Sequence, residues 1–229
     1  MYDDRPPEPS TPRLFESAEL PVKWPYREVV APRQGLLVVI SGPSGAGKDA
    51  VIDALARDGL PFTRVVTATT RPRRENEVGG KDYHFLSTDE FYRWRDAGLL
   101  LEWALVYGTP YGTPVAGVRE ALRAGQTVIL KIDVQGAAQI KQKAPEAVFI
   151  YLGPGSFEEL QQRLSRRGTE NDDAYRRRIE QAREELLQVP NYEYLVINRQ
   201  GDLGCAVEQV KSIILAERLR IHPRPIDIA

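Results

Sequence analysis

Residues 36–59 read LLVVISGPSGAGKDAVIDALARDG, and three patterns follow one another within them. LLVVIS (36–41) is an unbroken apolar run rich in branched side chains, as a strand buried on both faces requires. GPSGAGKD (42–49) matches G-x-x-x-x-G-K, the glycine loop whose amide protons cradle phosphates. KDAVIDALARDG (48–59) places apolar residues at helical spacing and ends on a glycine stop. Strand, glycine loop and helix in that order make a phosphate site. Gly42, Gly45 and Gly47 let the backbone approach the ligand, with Pro43, Ser44 and Ala46 between them. Lys48 supplies a mobile positive charge, and the helix adds its positive dipole end. One position departs from the pattern. The residue after the lysine is normally Ser or Thr, whose hydroxyl helps hold magnesium, and here it is Asp49.

Outward from this stretch the rhythm repeats. TVILKIDV (127–134), AVFIYLG (147–153) and EYLVIN (193–198) read as further buried strands. SFEELQQRLSRRG begins with a serine cap and first-turn glutamates, and CAVEQVKSIILAERLR reads as a closing amphipathic helix. Strands alternating with helices predict an α/β fold, a P-loop parallel sheet covered by helices. Residues 67–118 break the rhythm and predict a small inserted α+β lobe. Residues 1–34 carry seven prolines and read as an extended arm that Leu20, Trp24 and Tyr26 could pin to the body. Residues 223–229 read as a short tail.

The 229 residues suffice for one sizeable core with an inserted lobe. With 31 basic and 32 acidic residues the formal net charge is −1, which argues against a general nucleic-acid binder. A single cysteine, Cys205, excludes an internal disulfide and a cysteine metal cage, and reads as a core thiol. No apolar run approaches the roughly 20 residues that span a bilayer. The acidic, proline-rich start is not a signal peptide. The expectation is a soluble cytoplasmic protein without a membrane partner; the sequence carries no signal of oligomeric state.

Two further stretches carry chemistry. VVTATTRPRRENEVGGKDYHFLS (65–87) sets Arg71, Arg73 and Arg74 beside threonine hydroxyls, an acid and a tyrosine. Arginine's planar fork grips phosphate at two points. LLEWALVYGTPYGTP (100–114) holds Glu102 in an otherwise apolar run, where an unpaired carboxylate is costly. A carboxylate can accept from the N1 and exocyclic amine of guanine, a pairing adenine does not offer.

From about Gly35 to Arg220 the chain resembles the guanylate kinases. TTRPRR, GGKDYHF, EWALVYG, YGTP, IDVQG and RRGTE stand in the family's order and spacing. The resemblance implies ATP-dependent phosphorylation of GMP with Mg2+, and ATP and GMP as partners. It implies a domain over 35–222 with its core in 35–66, 119–162 and 183–222. The GMP-binding lobe is 67–118 and a helical lid 163–182. Residue by residue, Thr67, Arg71, Arg74, Tyr83 and Tyr111 would hold the GMP phosphate. Glu102 and Thr113 would read guanine, and Asp133 would lie near the acceptor nucleoside. Arg167 and Arg178 would reach from the lid to the transferred phosphoryl group, assisted by Arg163. The ATP side would comprise the loop from Gly42 to Asp49 and Asn198. The family usually follows Asn198 with two acids, where this chain has RQ.

A second departure accompanies Asp49. Lys131 stands where the family commonly has Asp or Glu, on the same strand face as Asp133. A salt bridge between Asp49 and Lys131 is expected, with Asp49 as metal ligand the other possibility. A G-K-D loop also resembles the ribose 1,5-bisphosphate kinases, and altered loop residues also occur in non-catalytic guanylate-kinase-like binding modules.

Overall fold

A computed structural model describes residues 34–106, 108–165 and 172–228. The expected arm, apart from Gln34, and Arg167 lie outside the described residues. In chain order the first elements are β1 (Leu36–Ser41), α1 (Lys48–Arg57), β2 (Thr63–Arg64), β3 (Thr67–Thr69), β4 (Tyr83–Phe85) and α2 (Thr88–Asp96). Then come β5 (Leu100–Val106), β6 (Thr109–Pro114), α3 (Val115–Arg123), β7 (Thr127–Lys131), α4 (Val134–Lys143) and β8 (Val148–Pro154). The chain closes with α5 (Phe157–Ser165), α6 (Asp172–Leu186), a 3-10 turn at Val189–Asn191, β9 (Tyr194–Asn198) and α7 (Leu203–Arg218).

β1 is the centre of a parallel sheet ordered β2-β7-β1-β8-β9. All six of its residues are buried because both faces are covered. Leu36, Val38 and Ile40 pack with Val51, Leu55, Val207 and Val210 of α1 and α7 on one face. Leu37 and Val39 pack with Val118, Leu130 and Ile140 on the other. The two-residue period of the strand thus divides one apolar run between two cores.

The inserted lobe is a second sheet, ordered β4-β3-β6-β5, in which β3 and β4 are parallel and the other pairs antiparallel. α2 opens on a capping box: Glu90 N–H donates to Ser87 Oγ, and Ser87 N–H donates to the Glu90 carboxylate. The expected lobe boundary at 118 falls inside α3, whose Val115, Val118 and Ala121 belong to the core under the parallel sheet. The helix therefore goes with the sheet from Val115 onward. β7 stops at Lys131 rather than 134, because Asp133 turns away to cap α4, accepting from Gly136 N–H at 2.9 Å. Cys205 is exposed, not a core thiol. It lies in the first turn of α7, where its N–H caps onto Asp202 while Ala206 and Val207 turn inward.

The C-terminal residues are pinned down. Arg224 donates to both oxygens of Glu217, Nε to Oε2 at 2.8 Å and Nη2 to Oε1 at 2.9 Å, and to Glu193 at 2.9 Å. Ile226 and Ile228 pack against the second core, and Arg119 Nε donates to Ile228 O at 2.9 Å. The Glu217 side chain is only 3% exposed. Without Arg224 the carboxylate keeps only the Tyr194 hydroxyl at 2.7 Å and Arg220 at 3.6 Å, a loss of charge pairing that costs about 2 kcal/mol. Arg224→Ala should lower the urea-unfolding free energy by about that amount at neutral pH. Adding Glu217→Gln to it should recover part of the loss.

Candidate active site

The loop between β1 and α1 turns on glycines at positive φ, Gly42 at +137° and Gly47 at +92°. A Cβ at Gly42 would run into the Leu152 carbonyl, and one at Gly47 into the Asn198 amide. Only glycine satisfies both the dihedral and the space. Lys48 Nζ donates to Gly42 O at 2.5 Å and Pro43 O at 3.0 Å, folded back over its own loop. Burial pulls its pKa down to about 8, opposed by the charges of Glu185, Asp133 and Asp49 and assisted by that of Lys131.

The outside of the loop is held from β9 and α5. Asn198 Nδ2 donates to Ala46 O at 2.8 Å. Arg163 Nη1 donates to Gly45 O and Ala46 O, each at 3.3 Å, and its Nη2 to Asn198 O at 2.8 Å, with Glu159 as its ionic partner. The sequence suggests Asn198 at the adenine side and Arg163 with the lid; here both grip loop carbonyls.

Asp49, one residue past Lys48, pairs with Lys131 at 2.6 Å, and the two side chains are 63% and 31% exposed. Burial works against the charge of each, but mutual attraction prevails, lowering the Asp49 pKa and raising that of Lys131. Lys131 Nζ also stands 5.9 Å from the Tyr83 ring centroid.

Glu102 and Thr113 face each other across the β5–β6 pair, both buried, with Thr113 Oγ1 donating to Glu102 Oε1 at 2.5 Å. A Cβ at Gly136 would stand 2.5 Å from Glu102 Oε2, so the glycine of IDVQG keeps room for this carboxylate. Burial raises the Glu102 pKa to about 7, against the lowering effect of the Thr113 hydrogen bond. Asp133 lies nearby as the α4 cap, its pKa also raised by burial.

On the lobe, Thr67 pairs with Tyr83, and the Tyr83 and Tyr111 rings lie 6.1 Å apart, edge to face. The Arg71 guanidinium sits 4.8 Å from the Tyr83 ring centroid and is gripped by Glu77 at 2.7 and 2.5 Å. Glu77 also accepts from the Arg74 backbone N–H at 2.9 Å; the Arg74 side chain is exposed. Glu77 thus shapes the arginine cluster, a role the charge run alone did not single out. His84 packs 6.0 Å from Trp94, and Tyr192 packs edge-on against Tyr151 at 5.0 Å.

α6 adds two residues that no sequence motif marks. Gln181 and Glu185 line the cavity, Gln181 Nε2 donating to Glu185 Oε1 at 2.9 Å. Arg178, 9% exposed, sits one turn earlier on the same helix face. The cavity, about 420 Å³, is walled by Lys48, Asp49 and Lys131 on the sheet side and by Thr67, Tyr83, Glu102 and Tyr111 on the lobe side. It therefore joins a phosphate loop to a buried carboxylate suited to a polar base.

Comparison with known proteins agrees with this geometry. The family model described as Guanylate kinase matches residues 34–217. A guanylate kinase of Caldanaerobacter subterraneus subsp. tengcongensis is 47% identical over 189 residues, 82% of this chain and 91% of that one. Guanylate kinase 2, chloroplastic/mitochondrial, of Oryza sativa subsp. japonica is 42% identical over 221 residues, 94% of this chain and 77% of that one. The crystal structure of guanylate kinase from Anaplasma phagocytophilum superposes with a TM-score of 0.68 at 29% identity, over 82% of this chain and 88% of that one. With the loop, the lobe and the buried Glu102 on one cavity, and these matches over most of its length, the chain belongs to the guanylate kinase family.

Proposed function

We propose that this protein transfers the γ-phosphoryl group of ATP to GMP, giving ADP and GDP. The observation that carries the reading is the buried Glu102, held by Thr113, on the wall of the cavity that also holds the phosphate-loop lysine. An ionised Glu102 accepts from guanine N1–H and the exocyclic amine, while Thr113 fixes the carboxylate's orientation. Arg71, Arg74, Tyr83 and Tyr111 would take the GMP phosphate, with Thr67 and Asp133 on the same acceptor side. The loop from Gly42 to Asp49 would take the ATP phosphates.

A GMP phosphate oxygen then attacks the γ-phosphorus as the bond to the β–γ bridging oxygen breaks, and ADP leaves with that electron pair. Lys48, with Arg178 and Arg167 from the lid, would offset charge spreading over the phosphoryl oxygens; positioning and electrostatics suffice without a catalytic base. Magnesium belongs to the same proposal. Asp49 Oδ1 is taken by the Lys131 ammonium, so its other, partly exposed carboxylate oxygen would hold the ion together with nucleotide oxygens and water. The metal would supply charge neutralisation at the β and γ phosphates. A ribose 1,5-bisphosphate kinase is not favoured, since a sugar phosphate leaves Glu102 without a base partner, nor is a non-catalytic module, since Gly42, Gly47 and Lys48 of the loop are retained. We place the reaction in the cytoplasm; among the described residues no helix is long and apolar enough to cross a membrane.

The direct test offers GMP, AMP and ribose 1,5-bisphosphate as acceptors to the purified protein. GMP should be turned over with at least about hundredfold preference in kcat/KM, the discrimination a hydrogen-bonding site achieves. Turnover of the sugar phosphate alone would overturn the reading. Gly136→Ala should raise KM for GMP by about tenfold or more through displacement of Glu102, with KM for ATP little changed.

The pH dependence has a defined sign. Because the Glu102 pKa is raised to about 7, the unliganded fold takes up a proton there and loses stability as pH rises from the ordinary carboxylate range through 7. Guanine needs the ionised form, so GMP affinity should rise over the same limb. Glu102→Gln should flatten both profiles, as melting temperatures and GMP calorimetry would register.

A further inference from the structure

In phosphate-loop nucleotide-binding proteins, the residue after the loop lysine and an acid from a neighbouring strand lie toward the metal that accompanies the phosphates. Here the first position is Asp49, and the last residue of the adjoining strand is Lys131. Lys131 pairs in register with Ile40 of β1, one residue before the end of the strand that leads into the loop, so its stem is anchored beside the loop's root. Its ammonium lies 2.6 Å from Asp49 Oδ1 and 5.9 Å from the Tyr83 ring centroid. Asp49 is on the donor side and Tyr83 on the acceptor lobe, and all three residues line the same cavity as Lys48.

This arrangement is more than an external ion pair. The Lys131 side chain is only 31% exposed, and an ammonium has three donors, of which Asp49 takes one. The Tyr83 side chain engages a second, which leaves one donor for a cavity that must receive several phosphate oxygens. A hydroxyl and a carboxylate at these two positions would carry one negative charge together; Asp49 and Lys131 carry none. The floor of the cavity is therefore one unit more positive, and the added cation stands between the donor loop and the acceptor lobe.

We propose that Lys131 is a second phosphate-binding cation of this site, contacting the phosphoryl group between ATP and GMP, and that Asp49 is the positioning residue holding its ammonium there. The inference rests on the phosphotransferase reading and deepens it. Part of the charge neutralisation of the phosphates then comes from the chain itself, so nucleotide should bind appreciably without a divalent metal.

The test uses the full-length protein and its Lys131→Met, Lys131→Arg and Asp49→Ser variants. ATP binding is measured by calorimetry in excess EDTA, and turnover is measured separately with magnesium. Lys131→Met should weaken metal-free ATP binding by about tenfold to hundredfold and lower kcat at least as much, the loss of a charge-assisted hydrogen bond. Lys131→Arg should stay within about threefold of the parent in metal-free binding, because the charge is kept. Asp49→Ser should fall between the parent and Lys131→Met, since the ammonium remains but loses its anchor. Thermal melting identifies any variant that fails to fold, and Lys131→Gln, which also removes the charge, then takes the place of Lys131→Met. A purely structural pair would make Lys131→Met and Asp49→Ser equally damaging to melting temperature, with metal-free ATP affinity unchanged in both. That result overturns the inference. If the parent protein does not phosphorylate GMP at all, the phosphotransferase reading fails separately, and the metal-free binding series still decides the role of Lys131.

Discussion

Loop amides can face a phosphate only if the loop carbonyls face away and find donors of their own. Asn198 and Arg163 are those donors, reaching Gly45 O and Ala46 O from β9 and α5. A buried carbonyl left without a partner would cost about as much as a lost hydrogen bond, so this outer clamp constrains the whole loop. It also explains why the sheet order matters. β8 lies beside β1 and carries β9 at the edge, which brings Asn198 to the outer side of the loop. The glycine at position 47 is needed on the same account, since a side chain there would collide with the clamp.

The acceptor half is built on a different physical basis. Glu102 is a carboxylate in an apolar strand, stabilised in the folded chain by one threonine hydroxyl and by partial neutralisation. On the proposed reading a bound guanine would add two donors to this carboxylate. The arginine cluster is organised beforehand by Glu77, which holds the Arg71 fork and the Arg74 backbone in one geometry. On the proposed reading, phosphate and base would meet groups whose orientation is set before binding.

Local patterns made the central strand, the loop and the lobe legible in the sequence, because each is encoded in consecutive residues. LLVVIS followed by GPSGAGK admits few other structures, and Glu102 stands out as a charge in an apolar run. What depends on packing across the chain was not legible. Asn198 and Arg163 find the loop carbonyls only through sheet order and the placement of α5. Glu185 enters the cavity because α6 packs its Ile179 and Ala182 against α5, a face that the charge-rich sequence obscures. The C-terminal residues read as a tail because HPRPIDIA has no period, yet Arg224 meets Glu217 and Glu193 from two separate elements. The early end of β7 follows from Asp133 acting as a helix cap, which competes with strand continuation. The Asp49–Lys131 contact was legible because two departures from one family pattern carry opposite charges.

A crystal structure of the protein with GMP bound tests the account most directly. Guanine N1 and its exocyclic amine should lie within about 3 Å of the Glu102 carboxylate, with the GMP phosphate at Arg71, Tyr83 and Tyr111. A guanine ring bound elsewhere in the cavity, with Glu102 still facing only Thr113, would contradict it.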